Sequence, residues 1–411
     1  MKHKIKGLII TKKFKILLTI LLISNFFLFG VYLILNYGAY DQDLDIPEKI
    51  HLTWQNNPAT TITITWQTDL ENSGDVVFYD NISRSGGLSN YRYNVTGYRL
   101  TYSGASGYIH MVELKGLKSN TTYFFKCGGL MGYSQERSFR TLSENVSQIR
   151  FVVGGDSRTN IEARENISKV MARYNPNFIV HSGDFVEDGG VQWRWDRWFE
   201  DLHTNWVGTN GLTIPIIPAI GNHEHNAINY YNQFALAGNE MWYSYNLSRN
   251  VHLTVLSTET NTSGEQLAWL ENDLEKHQNF TWKFVVFHQP PFPGSRETGH
   301  EGIKENWVPL FDKYHVDMVF SGHDHIYLRT VPINWTHSQK KPQSLENGTV
   351  YMISGGLGAP LYSPGTHWYN AHAENPSVYH FCLLDIYKNN SLHLKAINAK
   401  NNIFDELKIT K

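Results

Sequence analysis

The sequence predicts an α+β multidomain chain: one transmembrane helix, then a small β-sandwich, then a larger α/β sandwich. Three observations carry this. Residues 16–35, ILLTILLISNFFLFGVYLIL, run without a charge. Residues 47–141 hold short alternating strands with turn residues between them, the pattern of a sandwich. From residue 148 to the end at 411, apolar strand-like runs alternate with helix-like runs, and several strands end at once on a metal-ligand side chain.

The first fifteen residues, MKHKIKGLIITKKFK, form a basic tail. The apolar run at 16–35 has about the length that crosses a bilayer core. Lysines before it and Asp41, the first charge after it, place the tail in the cytoplasm and the rest outside. This predicts an uncleaved, single-pass signal-anchor in the cell membrane, with the rest of the chain extracellular. Secretion after signal cleavage is the alternative, but no small-x-small cleavage site is visible. Residues 36–46 read as a linker. Eleven Asn-x-Ser/Thr sequons between Asn81 and Asn389 fit an exported chain carrying N-linked glycans. A net charge of −2 leaves no basic field for nucleic acid. Cys127 and Cys382 are too few for a disulfide framework.

Within 47–141 the strands are IHLTW, TITITWQT, VVFYD, HMVEL and TYFFKCGG. No catalytic cluster lies among them, so this domain reads as a spacer and packing unit. Within 148–411, IEARENISKVMARY has helical spacing, with Pro176 beyond its end. SGEQLAWLENDLEKHQ is a second amphipathic helix, with Ser263 as its expected N-cap. VYMISGG, VYHFCLLDIY and SLHLKAINA read as late antiparallel strands.

The chemistry is concentrated at strand ends. In VDMVFSGHDH a buried strand meets Gly322, which permits a sharp turn, and then presents His323 and His325. IRFVVGGD delivers Asp156, FIVHSGD Asp184, IIPAIGNHE Asn222 and His223, and KFVVFHQP His288. Ligands in open α/β sheets sit beyond the carboxyl ends of strands, so these groups pool in one place. Carboxylate, amide and imidazole together suit Zn, Mn or Fe. Six such groups are too many for one tetrahedral ion and fit two ions sharing a carboxylate and a bridging water.

The ordered set GD, GD, GNHE, a lone histidine and GHDH resembles the calcineurin-like metallophosphoesterases, most of all the two-domain, plant-type purple acid phosphatases. The layout HMVELKGLKSNTTYFFKCGG…RSFRT resembles fibronectin-III-like modules and the N-terminal domain of those enzymes. The resemblance implies a four-layer α/β sandwich and a phosphatase acting on small phosphomonoesters by attack of a metal-bound hydroxide. It implies that Asp184 bridges two ions, that Asp156 and His325 complete one site, and that Asn222, His288 and His323 complete the other. His223 is implied to touch phosphate or protonate the leaving group. His300, in the loop PPFPGSRETGHEG, is implied to reach the phosphate.

Two departures alter the expectation. Arg158 stands two residues after the first Asp, where many metallophosphoesterases have His; its guanidinium suits phosphate. Glu187 stands three residues after Asp184, where purple enzymes supply the iron-binding Tyr. An enzyme without the purple colour is therefore expected, with Glu187 as a replacement ligand or a polar loop residue. A phosphodiesterase or nucleotidase is the alternative activity. A non-catalytic metal-binding surface protein is the alternative of another class, and the intact ligand set speaks against it.

Overall fold

The computed structural model describes residues 44–84, 87–145, 148–337 and 341–411. The predicted tail and span, residues 1–35, lie outside the described residues. Among those described, no helix is long and apolar enough to cross a membrane.

The N-terminal domain holds β1 (Glu48–Thr53), β2 (Ile62–Thr68), β3 (Val76–Asp80), β4 (Tyr93–Thr96), β5 (Tyr98–Leu100), β6 (Tyr108–Leu114), β7 (Thr122–Gly129), β8 (Gly132–Tyr133) and β9 (Arg137–Arg140). They pair in two antiparallel sheets, β1-β2-β6-β5 and β4-β3-β7-β8, with β9 also on β7. The period-2 pattern of TYFFKCGG explains the packing of β7: Tyr123, Phe125 and Cys127 are buried, and Thr122, Phe124 and Lys126 are less so. The buried face meets Ile64 and Trp66 of β2 in one core.

The second domain holds β10 (Gln148–Gly154), β11 (Phe178–His181), β12 (Ile216–Pro218), β13 (Tyr243–Ser248), β14 (Val251–Val255), β15 (Trp282–Val286), β16 (Met318–Ser321), β17 (Tyr327–Thr330), β18 (Val350–Ser354), β19 (Asn370–Ala373), β20 (His380–Tyr387), β21 (Ser391–Asn398) and β22 (Ile403–Thr410). One sheet has the order β12-β11-β10-β20-β21-β22, the other β13-β14-β15-β16-β18-β17-β19. Strand alternation sorts the side chains into layers. Phe284, Val286, Met318, Phe320 and Met352 join the core shared with the first sheet, where Phe151 meets Phe284 at 5.8 Å between ring centroids. Their neighbours Val285, Val319 and Tyr351 face the other way, onto Leu270 and Leu274 of the helix Glu265–Lys276 and Phe311 of the helix Val308–Tyr314. The helix Ile161–Arg173 covers the first sheet through Ile167, Val170 and Met171.

The helix Gln192–Asn205 packs against β1 and joins the two domains. Lys49 pairs with Asp196 at 2.8 Å, and the rings of His51 and Phe199 stack at 4.4 Å. The sequence gives little warning of this helix, because Val191 at its N-cap offers no capping oxygen.

Two expectations need correction. The cap of Glu265–Lys276 is Gly264, not Ser263, whose hydroxyl donates to Asn261 Oδ1 at 2.8 Å instead. VYMISGG forms β18, which runs antiparallel to β17 but parallel to β16, so it is not a purely antiparallel strand. Cys127 and Cys382 are both buried and free.

Candidate metal centre

In the first sheet β10, β11 and β12 are adjacent and parallel, and in the second β15 and β16 are. Asp156 follows β10, Asp184 follows β11, and Asn222 opens a short turn after β12. His288 follows β15, and His323 and His325 follow β16. The groups thus come from the strand ends of two sheets and pool in one place, as the strand-end pattern predicts. Backbone bonds lace the loops together: Asp156 N–H donates to Gly183 O at 2.9 Å, Ser157 N–H to Asp184 O at 3.0 Å, and Gly322 N–H to His288 O at 3.0 Å.

The loops are held in unusual conformations. Asp156, Asp184 and His323 have φ of 58°, 56° and 66°. The left-handed region costs an L-residue roughly 1–2 kcal/mol, so three such residues at one point mark a site whose surroundings over-determine it. Gly183 has φ of 101°, and a Cβ there would lie 2.7 Å from His288 Nδ1. A Cβ on Gly322 would lie 2.3 Å from Asp156 Oδ2. These two glycines let backbone and ligand side chains approach.

The six side chains converge. His288 Nε2 lies 3.2 Å from Asp184 Oδ1 and 3.0 Å from Asn222 Oδ1. His323 Nδ1 lies 2.8 Å from Asn222 Oδ1 and 3.3 Å from His288 Nε2. His325 Nε2 lies 3.4 Å from Asp156 Oδ1. Ligand atoms of Asp156, Asp184 and His288 all fall within 4.8 Å of one another. Asp156, Asp184, His288 and His325 are buried, and Asn222 and His323 are half-buried at the mouth.

Proton positions decide whether this set fits cations. His288 Nδ1 donates to Ser182 O at 2.8 Å, and His325 Nδ1 donates to Pro360 O at 2.6 Å. With Nδ1 committed to a carbonyl, each ring turns Nε2 toward carboxylate and amide oxygens, which are acceptors. A proton on Nε2 or a cation between the groups satisfies that arrangement. Burial alone would depress His288, yet the Asp184 carboxylate beside it lifts the imidazole to about 10. Burial would raise Asp184, but His288 and the His223 N–H hold it far below the carboxylate range. Burial, then His288, pushes His323 down to about 2. The donor set fits two cations.

Arg158 Nε lies 3.6 Å from Asp184 Oδ2 and Nη2 3.5 Å from His325 Nε2, so Arg158 borders the cluster. Its Nη1 is paired with the Glu187 carboxylate, which also accepts from Thr159 Oγ1 at 2.7 Å. Glu187 is thus engaged by Arg158 and Thr159. The tyrosine at the cluster is Tyr362, whose ring stacks on His325 at 4.2 Å. His223 Nδ1 donates to Glu187 O at 2.7 Å, leaving Nε2 facing Asp184 Oδ2 at 3.8 Å. His300 is not brought into contact with the cluster among the described residues. Its Nδ1 accepts from Ile303 N at 3.3 Å and caps the helix Glu301–Asn306.

Two residues inside the motifs carry structural duties that the sequence does not signal. Glu224 of GNHE is fully buried, and its carboxylate accepts the N–H groups of Gly221, Asp184 and Phe185 at 2.8, 2.9 and 2.8 Å. Burial and the Asp184 charge push it up to about 8. Asp324 of GHDH accepts from Gly294 N, Ser295 N and Arg296 Nε at 2.8, 2.9 and 2.8 Å, pinning the loop before His300. His181 lies beneath the site, its Nε2 3.0 Å from Ser157 Oγ, and burial holds it near 3.

His252, Asp273 and His277 also bring ligand-type atoms together. Here the imidazoles stack at 3.8 Å and 15°, so their nitrogens point alongside one another rather than at a common ion. Asp273 is already served by His252 Nε2 at 3.0 Å, Thr254 Oγ1 at 2.8 Å and Ser244 Oγ at 2.8 Å. This is a saturated network that fixes the helix Glu265–Lys276 on the sheet.

Comparison with known proteins agrees with the geometry. Residues 47–141 match the family "Purple acid Phosphatase, N-terminal domain", and residues 149–327 match "Calcineurin-like phosphoesterase". Acid phosphatase type 7 of Mus musculus is 28% identical over 363 residues, 78% of this chain and 80% of that protein. Probable purple acid phosphatase 20 of Arabidopsis thaliana is 29% identical over 309 residues, 70% of each chain. A purple acid phosphatase from yellow lupin (Lupinus luteus) seeds shares the fold, with a TM-score of 0.76 at 20% identity, covering 89% of this chain and 74% of its own.

Proposed function

The chain belongs to the purple acid phosphatase group of the calcineurin-like phosphoesterases, metal-dependent hydrolases with a dinuclear centre, and from that premise we propose that it hydrolyses phosphomonoesters outside the cell. The observation that carries the reading is the orientation of His288 and His325, whose outer nitrogens donate to carbonyls while their inner ones meet oxygens. We assign Asp184 as the shared ligand, Asp156 and His325 to one ion, and Asn222, His288 and His323 to the other. Fe, Zn and Mn all suit these donors. Two ions held there supply positive charge at the phosphate oxygens and lower the pKa of a bound water.

The chain's own groups do the rest. Arg158 neutralises a phosphate oxygen at the open side of Asp184, held in place by Glu187. His223 cannot carry a proton on Nε2 as a neutral ring, because Nδ1–H is committed to Glu187 O. As an imidazolium it donates that Nε2 proton to the leaving oxygen. His300 uses Nδ1 to cap its helix and makes no contact with the cluster among the described residues, so no phosphate contact is assigned to it. Ten of the eleven sequon asparagines are exposed, Asn334 being half-buried, which supports glycosylation and export.

The test is a panel of phosphomonoesters and diesters assayed with added Fe, Zn or Mn, with metal content measured on the same preparations. Turnover of monoesters, two ions per chain and no violet colour are expected. Asp184→Asn is expected to lose most of both ions. Full activity with one ion per chain, or with metal retained in Asp184→Asn, overturns the assignment.

A further inference from the structure

Beside the ligand cluster runs an open groove with a volume of about 70 Å³. The Arg158–Glu187 pair lines it, and Arg158 Nε lies 3.6 Å from Asp184 Oδ2, so this pair stands between the groove and the cluster. The opposite wall is the first turn of the helix Gln192–Asn205, which presents Trp193 and Arg194. Trp193 is 62% exposed, although the same helix buries Trp195, Trp198 and Phe199 completely or nearly so. An exposed indole on a helix with an ample core face is available for stacking.

Arg194 differs from the other arginines here. Arg164 is paired with Asp201, and Arg197 with Glu165 and Asp201. Arg194 makes no ion pair among the described residues. Its guanidinium lies 5.0 Å from the centre of the Trp193 ring, and its Nε is buried with no acceptor. An aromatic face and an uncompensated cation therefore stand together, one groove's width from the reaction centre.

We propose that this groove is the leaving-group subsite, built for a phosphate ester or phosphoanhydride whose leaving group carries a planar ring and a second anion. The ring lies on Trp193 and the second anion on Arg194, while the transferred phosphate sits at the ligand cluster. In the reaction, water oxygen bonds to the terminal phosphorus, the bridging P–O bond breaks, and a proton goes to the departing oxygen. The proposal rests on the phosphatase reading above and names the substrate class that site selects.

The experiment compares ADP, which has both features, with glycerol phosphate, which has neither, on the metal-loaded full chain. The wild type is expected to prefer ADP. In Trp193→Ala and Arg194→Ala, kcat/KM for ADP is expected to fall about tenfold to a hundredfold, chiefly through KM, since ring stacking and charge pairing each contribute on that scale. The value for glycerol phosphate should change less than twofold. Trp193→Phe and Arg194→Lys should recover part of the loss. Equal losses on both substrates, or no loss on ADP, overturn the subsite and leave the phosphatase reading standing. A wild type that turns over neither substrate removes both readings.

Discussion

His223 and Arg158 reach the same carboxylate from different sides, and their surroundings separate their roles. His223 has one free nitrogen, 3.8 Å from Asp184 Oδ2, and a ring locked by Glu187 O. That free nitrogen suits proton transfer to a leaving oxygen, the role proposed for it. Arg158 brings fixed charge and is anchored by Glu187. His223→Ala is therefore expected to lower kcat by about 10²–10⁴-fold, the span of a lost general acid. The loss should be smaller for a nitrophenyl ester, whose leaving group needs no proton, than for an alkyl phosphate. Equal losses on both esters with metal intact would show that His223 only holds phosphate. Arg158→Ala is expected to raise KM, because fixed charge binds ground state and transition state alike; an unchanged KM speaks against phosphate contact.

Among the elements, the strands that end on ligands were the most legible part of the chain. IRFVVGGD, FIVHSGD and KFVVFHQP are buried on both faces, and such strands read as continuous apolar runs. β4, β5 and β19 are short and largely uncovered, so no pattern announces them. Sheet membership was not legible either: it depends on pairings between distant segments, such as β10 with β20, which no local spacing encodes. The turns between strand and ligand lay between these extremes. GNHE advertises Asn222, but the duty of Glu224 appears only when three N–H groups from two loops meet it. Glu224→Gln replaces one acceptor oxygen with an NH₂ facing those donors. Metal affinity is expected to drop about ten- to a hundredfold, as for other residues that support ligands, with the fold retained by circular dichroism. A wild-type metal titration curve for that variant would remove the buttress from the account.

At the scale of the whole molecule, the two domains share the helix Gln192–Asn205, and the site lies at strand ends on the far domain. The proposal that this body lies outside the cell rests on charge and sequon pattern. Lysines precede the apolar run at 16–35 and Asp41 follows it, the charge pattern on which the proposed orientation, with its start in the cytoplasm, rests. The same orientation exposes every sequon from Asn81 to Asn389 to the compartment where glycans are attached. Both consequences are measurable on one preparation. Protease added to intact cells is expected to remove the bulk of the chain, and an N-glycosidase is expected to increase the gel mobility of what it digests. Retention of the full-length chain after protease, together with no mobility change after glycosidase, would place the catalytic body on the cytoplasmic side and remove the extracellular assignment. Cleavage without a glycosidase shift would keep the orientation and exclude the glycans. Recovery of the whole chain in the medium instead of the cell fraction would replace the anchor by a cleaved signal.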